Sequence, residues 1–278
     1  IFIYHCYCKS YWRFPKSHKR VGKIKPIYFM LFSLSSALKV QELFEKGDVY
    51  TYTAFTFFVG TMAMMAAAAF FFMEMRNVEE KWRTSILVSG LITFIAAVHY
   101  YYMRDYFTAT STSPTFFRYV DWMLTVPLMC VEFYLITKKA GAKTSLLWKL
   151  IFASVVMLVT GYFGEAVDRG QSVLWGVLSG AAYFYIAYLV WFGEVAKLAE
   201  SAGPAVAKAT RILAWFVLVG WAIYPLGYII GTPGGLFGAF GSADPNPWMD
   251  VVYNIGDAVN KIGFGLVIYS LAKADSKA

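Results

Sequence analysis

Charged residues are scarce in this 278-residue chain: only 15% of its positions are Asp, Glu, Lys or Arg, whereas 59% are hydrophobic and 19% are aromatic. The mean hydropathy is correspondingly high, at +0.52. Such a shortage of charge is atypical of a soluble domain and typical of a protein that crosses the lipid bilayer several times.

Motifs for soluble chemistry are also missing. The sequence contains no GxxxxGK[ST] phosphate loop, no HExxH zinc motif and no paired CxxC, so nothing in it predicts nucleic-acid binding or an enzyme. His99 has no companion ligand at metal-binding spacing, and we predict no metal site. The three cysteines, Cys6, Cys8 and Cys130, form no convincing disulfide framework, and Cys130 is interpreted as a packing residue.

Basic residues are concentrated at the start of the chain. Residues 1–29 contain seven Lys or Arg and no acid, which leaves only +1 of the formal net charge of +8 for the rest. The first methionine is Met30, so we interpret residues 1–29 as a non-native or upstream basic extension. The basic region of a signal peptide is the alternative. Residues 30–50 are interpreted as an N-terminal segment with a short interfacial helix over 31–46.

Seven apolar segments follow, each near the length of about 20 residues that a helix needs to cross a bilayer. Short polar links separate them, including 194–209 and the Gly- and Pro-rich loop 232–247, and residues 273–278 form a tail. We therefore predict an all-α, multi-pass membrane protein, a seven-transmembrane-helix bundle over residues 51–272. The predicted spans are 51–73, 84–103, 114–137, 146–164, 171–193, 210–231 and 248–272.

The distribution of Lys and Arg between the links predicts the orientation. Positively charged loops remain on the cytoplasmic side, and here eleven basic residues follow the odd-numbered spans whereas two, Arg104 and Arg169, follow the even-numbered ones. We expect the N-terminus outside and the C-terminus in the cytoplasm. The eleven are Arg76, Lys81, Arg83, Lys138, Lys139, Lys143, Lys197, Lys208, Arg211, Lys273 and Lys277.

A lysine lies deep within the last apolar segment. At that depth the charge of Lys261 costs at least about 2.5–3.5 kcal/mol, and Asp257, one helical turn earlier, is placed to neutralise it. A structural ion pair or a lysine that reaches the membrane surface is one interpretation. The other is functional, because a desolvated lysine is suited to hold an aldehyde as a Schiff base with a carboxylate as counter-ion.

The third span carries further charges. Arg118 and Asp121 are three residues apart and so share a helix face, with Thr125 one turn below Asp121. Glu132 lies eleven residues beyond Asp121, which returns it to a similar face about 16 Å closer to the cytoplasm. Arg118 as an interfacial anchor and Glu132 as a carboxylate reaching the surface are the structural alternatives. Taken together with Lys261, the carboxylates outline a proton path.

Two further features are open to two interpretations each. His99 is either a packed, hydrogen-bonded side chain or a group that shares a proton with Asp121. In the sixth span, Trp221, Tyr224 and Tyr228 recur at helical spacing around Pro225, where we expect a kink. This aromatic stripe is either core packing or, opposite Trp122, one wall of a flat slot for a conjugated ligand.

These segments resemble the microbial (type 1) rhodopsins, and within them the proteorhodopsins, over about residues 50–272. The strongest matches are RYVDWMLTVPLMCVEFYLI at 118–136, WAIYPLGY at 221–228, DAVNKIGFGLVIY at 257–269 and VSGLITFIAAVHYYYMRD at 88–105.

The resemblance implies a role for each intramembrane charge. Lys261 resembles the lysine that binds all-trans retinal as a protonated Schiff base. Asp121 is similar to the counter-ion that accepts the proton, and Asp257 to the second counter-ion. Glu132 resembles the donor that returns the proton from the cytoplasmic side. Arg118 resembles the arginine below the counter-ion complex, and His99 the histidine that hydrogen-bonds the acceptor. The expected chromophore contacts are Trp122, Trp221, Tyr224, Pro225, Tyr228, Tyr100, Met129 and Asn260.

The expected function is therefore a light-driven outward proton pump. Asp121, Thr125 and Glu132 form the three-residue pattern of the family's proton pumps, whereas related sodium pumps have Asn, Asp and Gln there and chloride pumps lack a carboxylate at position 121. A sensory photoreceptor that signals through a separate partner is the main alternative, and a retinal enzyme or a channel is less favoured.

Other expectations also come from the resemblance. Met129 implies green-light absorption, since blue-absorbing members have Gln at that position. Gly176 lies where some relatives admit a carotenoid antenna, although close helix packing explains a glycine equally well. The family further implies a bacterial inner (plasma) membrane and a homo-oligomer, a pentamer or hexamer.

Overall fold

The computed structural model describes residues 48–231 and 247–275. The predicted extension 1–29, the interfacial helix over 31–46 and residues 232–246 of the predicted loop 232–247 lie outside these residues. Every regular element within them is helical, and seven segments are long and apolar enough to cross a membrane. The predicted all-α bundle of seven spans is confirmed. The segments are Val49–Asn77, Glu80–Thr110, Thr115–Ala140, Thr144–Val167, Arg169–Ser201, Pro204–Ile230 and Trp248–Asp275.

The segments are built from α-helices joined by short 3₁₀ or π-helical turns. Asp48 caps the first helix, because its side chain accepts a hydrogen bond from the backbone N–H of Tyr50 at 3.2 Å. The helices are α1 Val49–Glu74, α2 Glu80–Thr110, α3 Thr115–Thr137, α4 Thr144–Tyr162, α5 Ser172–Trp191, α6 Glu194–Ser201, α7 Pro204–Trp215, α8 Ile223–Gly231 and α9 Pro247–Asp275.

Several helices extend beyond the predicted spans. α2 covers Glu80–Thr110 rather than 84–103, and it ends where Ser111 adopts a left-handed conformation with φ of 56°. An apolar run marks only the part of a helix that lipid surrounds, whereas the backbone hydrogen bonds continue through polar turns until a residue interrupts them.

The predicted polar link 194–209 is mostly helical. It contains α6 and the first turn and a half of α7, joined through Gly203 with φ of 110° and Pro204 at the first helical position. α6 is short but amphipathic: Val195 and Ala199, one turn apart, are buried against the bundle. A search for runs of about 20 apolar residues cannot detect such a helix.

The sixth span is interrupted near Pro225, as expected, but the interruption is longer than a kink. α7 ends at Trp215, a π-helical segment follows over Phe216–Gly220, and α8 begins at Ile223. Proline has no N–H to donate to the carbonyl of Trp221, and its ring crowds that carbonyl. The break therefore lies on the N-terminal side of the proline and gives Trp221 and Tyr224 a local geometry that a continuous helix lacks.

The bundle exposes large apolar side chains on its outer surface and buries several charged ones, the reverse of a soluble protein. Large apolar side chains such as Trp148, Phe152 and Phe184 are 64–71% exposed, as expected where lipid replaces water. Neighbouring helices in the sequence pack side by side, and α9 also packs on α1, α2 and α7. This arrangement brings the charged residues of α3 and α9 into the interior.

Candidate functional site

The centre of the bundle contains a lysine held between two carboxylates. Lys261 on α9 is 2% exposed, and its Nζ lies 2.6 Å from Asp121 Oδ2 on α3 and 2.5 Å from Asp257 Oδ2 on its own helix. The hydroxyl groups of Tyr100 and Tyr224 each donate a hydrogen bond to the Asp257 carboxylate, at 3.0 and 2.6 Å. The site thus joins four segments of the bundle through one buried charge cluster.

The two carboxylates differ in their partners. Both oxygens of Asp257 accept hydrogen bonds, whereas Asp121 Oδ1 is buried with no hydrogen-bond partner among the described residues. His99 Nδ1 is 3.9 Å from Asp121 Oδ1, too far for a hydrogen bond, and instead donates to the Ile95 carbonyl at 2.8 Å. Because Asp121 has one unoccupied oxygen, it is the carboxylate with room to accept a proton.

Thr125 is fully buried, but its hydroxyl bonds within its own helix. Its hydroxyl donates to the backbone carbonyl of Asp121 at 2.9 Å, the usual hydrogen bond of a helical threonine. The hydroxyl therefore supports the backbone of α3 and does not contact the Asp121 carboxylate.

Arg118 belongs to a separate cluster towards the start of α3. Its guanidinium donates to Asp250 Oδ1 at 2.7 Å and to Asn254 Oδ1 at 2.9 Å, and Ser113 Oγ donates to Asp250 at 2.9 Å. Within the described ranges no ion pair joins Arg118 to Asp121 or Asp257. The arginine thus neutralises a second buried acid rather than bonding directly to the counter-ions.

Glu132 is isolated near the other end of α3. The side chain is fully buried, Ser89 Oγ of α2 donates to its Oε1 at 3.2 Å, and Oε2 has no partner in the described part of the chain. No basic residue there forms an ion pair with it. This burial contradicts the alternative in which Glu132 reaches the membrane surface.

A mostly apolar cavity of about 120 Å³ lies beside the charge cluster. Trp122, Trp221, Tyr224, Pro225 and Tyr228 line it. Tyr224 connects the two features, because its ring faces the cavity while its hydroxyl donates to Asp257. The aromatic residues of the sixth span therefore form a cavity wall with Trp122, whose ring centroid is 4.8 Å from that of Tyr224.

Three of the expected chromophore contacts lie elsewhere. Tyr100 bonds to Asp257, the Asn260 amide donates to the Gly220 carbonyl at 2.9 Å, and Met129 is buried in the main hydrophobic core. The structure thus places five of the expected contacts in the cavity wall and three outside it.

Comparisons with known proteins identify the family and the fold. A family model described as "Bacteriorhodopsin-like protein" matches residues 51–274. The chain is 44% identical over 232 residues to the green-light absorbing proteorhodopsin of Gamma-proteobacterium EBAC31A08, covering 82% of this chain and 90% of that protein. It is 41% identical over 251 residues to the blue-light absorbing proteorhodopsin of Gamma-proteobacterium Hot 75m4, covering 89% and 98%.

The chain belongs to the bacteriorhodopsin-like family. Solved structures show the same fold. The blue light-absorbing proteorhodopsin from Med12 has a TM-score of 0.67 and 39% identity, covering 81% of this chain and 99% of that one. Xanthorhodopsin, described as a light-driven ion pump with dual chromophore, has a TM-score of 0.71 and 30% identity, covering 82% and 95%.

The structure of this bacteriorhodopsin-like protein also reveals polar residues that sequence reasoning missed. Asp250, Asn254 and Ser89 are buried partners of the charged groups, and Glu165 accepts a hydrogen bond from Tyr119 at 2.8 Å. Asp250 and Asn254 lie seven and three residues before Asp257, so helical periodicity places them on the same face. That spacing could have predicted that Asp250 and Asn254 face the same interior as Asp257, whereas nothing local in the sequence pairs Ser89 with Glu132.

The Arg118–Asp250 pair generates a stability prediction. Asp250→Asn leaves a buried guanidinium without its carboxylate, so we expect the free energy of unfolding to fall by about 3–5 kcal/mol. Lys149→Gln, which removes the more exposed ion pair with Glu194 at 2.9 Å, serves as control and should cost about 1 kcal/mol or less. Unfolding in a denaturing detergent, followed by circular dichroism, measures both. Equal losses in the two variants would contradict the importance of the buried pair.

Proposed function

We propose that this protein is a retinal-binding, light-driven outward proton pump. The observation that carries the proposal is the buried Lys261 amine between two carboxylates, one of which has an unoccupied oxygen. A buried amine is a suitable nucleophile for an aldehyde, and a neighbouring carboxylate suits proton exchange with its nitrogen. The proteorhodopsin relatives support a pump of this kind.

The residues present fit retinal. The elongated, apolar chromophore requires a lysine at one end and a hydrophobic cavity beyond it, and Trp122, Trp221, Tyr224 and Pro225 supply that cavity. Lys261 would hold the aldehyde carbon. Retinal, when bound there, supplies the light-driven isomerisation that changes the environment of the Lys261 Nζ proton. The apolar walls exclude water from this part of the bundle.

Asp121 is the proposed proton acceptor. Its Oδ2 is already in hydrogen-bond contact with Lys261 Nζ, so the proton has a direct route to this side chain. Asp257 is occupied by three donors and is proposed to remain the fixed counter-ion. Tyr100 and Tyr224 hold it in position. His99, at 3.9 Å from Asp121, is proposed to come into contact when the acceptor changes charge.

Glu132 is the proposed donor that returns a proton to Lys261 Nζ. It lies on the same helix as Asp121, about 16 Å along the axis, and among the described residues its carboxyl has only serine hydroxyls as hydrogen-bond partners, those of Ser89 and Ser85. A carboxyl group without a cation is free to carry a proton into the bundle and release it. Ser89 is proposed to orient Oε1.

The proposed direction of transport follows from the orientation. With the basic links in the cytoplasm, Glu132 lies towards the cytoplasm and Asp121 towards the outside, so protons move outward. We propose a bacterial inner membrane with the N-terminus outside. The expected pentamer or hexamer stays a prediction.

The first test uses cells that express the protein with all-trans retinal. Green light should acidify an unbuffered suspension, and a protonophore should abolish the change.

Asp121→Asn should abolish pumping and shift absorption to the red, whereas Asp105→Asn, the same change at an exposed acid, should pump normally. Lys261→Ala should give no pigment. A pigment without any pH change would favour the sensory alternative, and pumping by Asp121→Asn would contradict the acceptor assignment.

The donor assignment predicts a kinetic effect. Glu132→Gln cannot supply a proton, so recovery of the visible absorbance after a flash should slow by about 100-fold and become faster with added azide or at lower pH. Glu194→Gln, the same substitution at a partly exposed residue, should recover at the normal rate. Flash spectroscopy measures both. Unchanged recovery in Glu132→Gln would remove the donor role.

We further propose that Gly176 admits a hydroxylated carotenoid antenna. Gly176 lines the cavity, and a Cβ added there would lie 2.9 Å from the Tyr228 ring, so the position requires the absence of a side chain. Xanthorhodopsin is the dual-chromophore relative that motivates the proposal.

Excitation spectra measure this antenna role. With a hydroxylated carotenoid added, light absorbed by the carotenoid should drive the pigment, and Gly176→Trp should abolish the transfer. Gly170→Trp, at an exposed turn, is the control. Equal transfer in both variants, or none in the unmodified protein, would leave close helix packing as the explanation of Gly176.

A further inference from the structure

A second cavity, of about 260 Å³, lies at the basic end of the bundle. The end of α5, the short helix α6 and the first turns of α7 surround it. Three charged side chains line it, Lys208, Arg211 and Glu200, together with the hydroxyl-bearing Thr210, and the remaining lining is Ala and Val. None of these residues belongs to the proposed proton path.

Thr210 differs from the other buried threonines in the part of the chain that the structure describes. It is 3% exposed and lines the cavity, yet its hydroxyl has no hydrogen-bond partner among the described residues. A buried hydroxyl without a partner is costly. Nine other helical threonines, including every other buried one among the described residues, donate to a carbonyl three or four residues earlier. They are Thr53, Thr56, Thr61, Thr93, Thr108, Thr110, Thr125, Thr137 and Thr160.

The charges around the cavity favour an anion. Lys208 and Arg211 are exposed, and neither forms an ion pair with Glu200 or another acid within the described ranges. Two cations and one carboxylate leave a formal excess of one positive charge. An anion of charge about −1 that accepts hydrogen bonds would therefore satisfy both the hydroxyl and the local charge.

The surroundings place the cavity at the depth of a lipid headgroup. The Arg211 guanidinium lies 5.0 Å from the ring centroid of Trp191, and Trp191 packs edge-on against Trp215 at 4.9 Å. Tryptophans are enriched where hydrocarbon meets water. Beyond Arg211, the apolar side chains of Ile212, Trp215 and Val219 are 39–58% exposed along one strip of the sixth span, which we call the acyl strip.

We propose that this cavity binds the phosphate group of an anionic phospholipid. The Thr210 hydroxyl donates to a phosphate oxygen, Lys208 and Arg211 neutralise the charge, and the acyl chains lie along the acyl strip. Basic pockets between transmembrane helices are suited to such headgroups. A phosphodiester carries one negative charge and so matches the excess beside Glu200, whereas inorganic phosphate near neutral pH is a mixture of singly and doubly charged forms.

Native mass spectrometry of the purified, retinal-loaded full chain tests the proposal. After reconstitution in mixed phosphatidylglycerol and phosphatidylcholine, one phosphatidylglycerol per protomer should remain bound. The double variant Lys208→Gln/Arg211→Gln and the near-isosteric Thr210→Val should each reduce its retention by about tenfold. Lys143→Gln/Lys197→Gln removes the same charge from the same end of the bundle without touching the cavity, and should retain the lipid.

Two outcomes would overturn the proposal. Equal phosphatidylglycerol retention in the cavity variants and the Lys143/Lys197 control would remove the site. Binding of inorganic phosphate to lipid-stripped protein, with no lipid retained after reconstitution, would exclude a lipid as its source. Helical circular dichroism and visible absorbance report whether each variant folds. If the buried substitution Thr210→Val prevents folding, the double variant at the exposed Lys208 and Arg211 still tests the site.

Discussion

The constraint on which the structure depends is the charge of Lys261 in the middle of a membrane. An ammonium group in hydrocarbon is costly unless carboxylates and hydroxyl groups surround it. Here Asp121 and Asp257 lie within 2.6 Å of Nζ, and Tyr100 and Tyr224 complete the shell around Asp257. Asp257 lies on the same helix as Lys261, whereas Asp121, Tyr100 and Tyr224 come from three other helices. The bundle must therefore close around the lysine to complete this shell.

The same reasoning explains why the polar interior is divided into separate clusters. Arg118 bonds to Asp250 and Asn254 rather than to the counter-ions, so each buried cation has its own acid. Between these clusters and Glu132 lie apolar and aromatic residues of the core. Local neutralisation of Arg118 by Asp250 means that the proposed proton exchange at Lys261 would not disturb the charge balance of the Arg118 cluster.

Much of this architecture was predictable from the sequence. The apolar runs gave seven spans because the hydrocarbon thickness fixes their length, and helical spacing gave the Asp257–Lys261 pair. The helix α6 and the extended ends of α2 were not predictable by that route, since polar helical turns have no hydropathy signal. The direction of the Arg118 side chain was also hidden, because it depends on Asp250, which is 132 residues away.

Buried polar atoms without partners connect the proposed proton path with the proposed lipid site. In the described part of the chain they include Asp121 Oδ1, Glu132 Oε2 and Thr210 Oγ1. Native proteins satisfy nearly all buried polar groups, so each exception calls for an explanation. Asp121 and Glu132 both lie on α3, and the proposed proton path accounts for their free oxygens. Thr210 lies on α7, at the basic end of the bundle, and shares its cavity with Lys208 and Arg211. Its hydroxyl is not part of the proposed proton path, and the proposed anionic headgroup accounts for it.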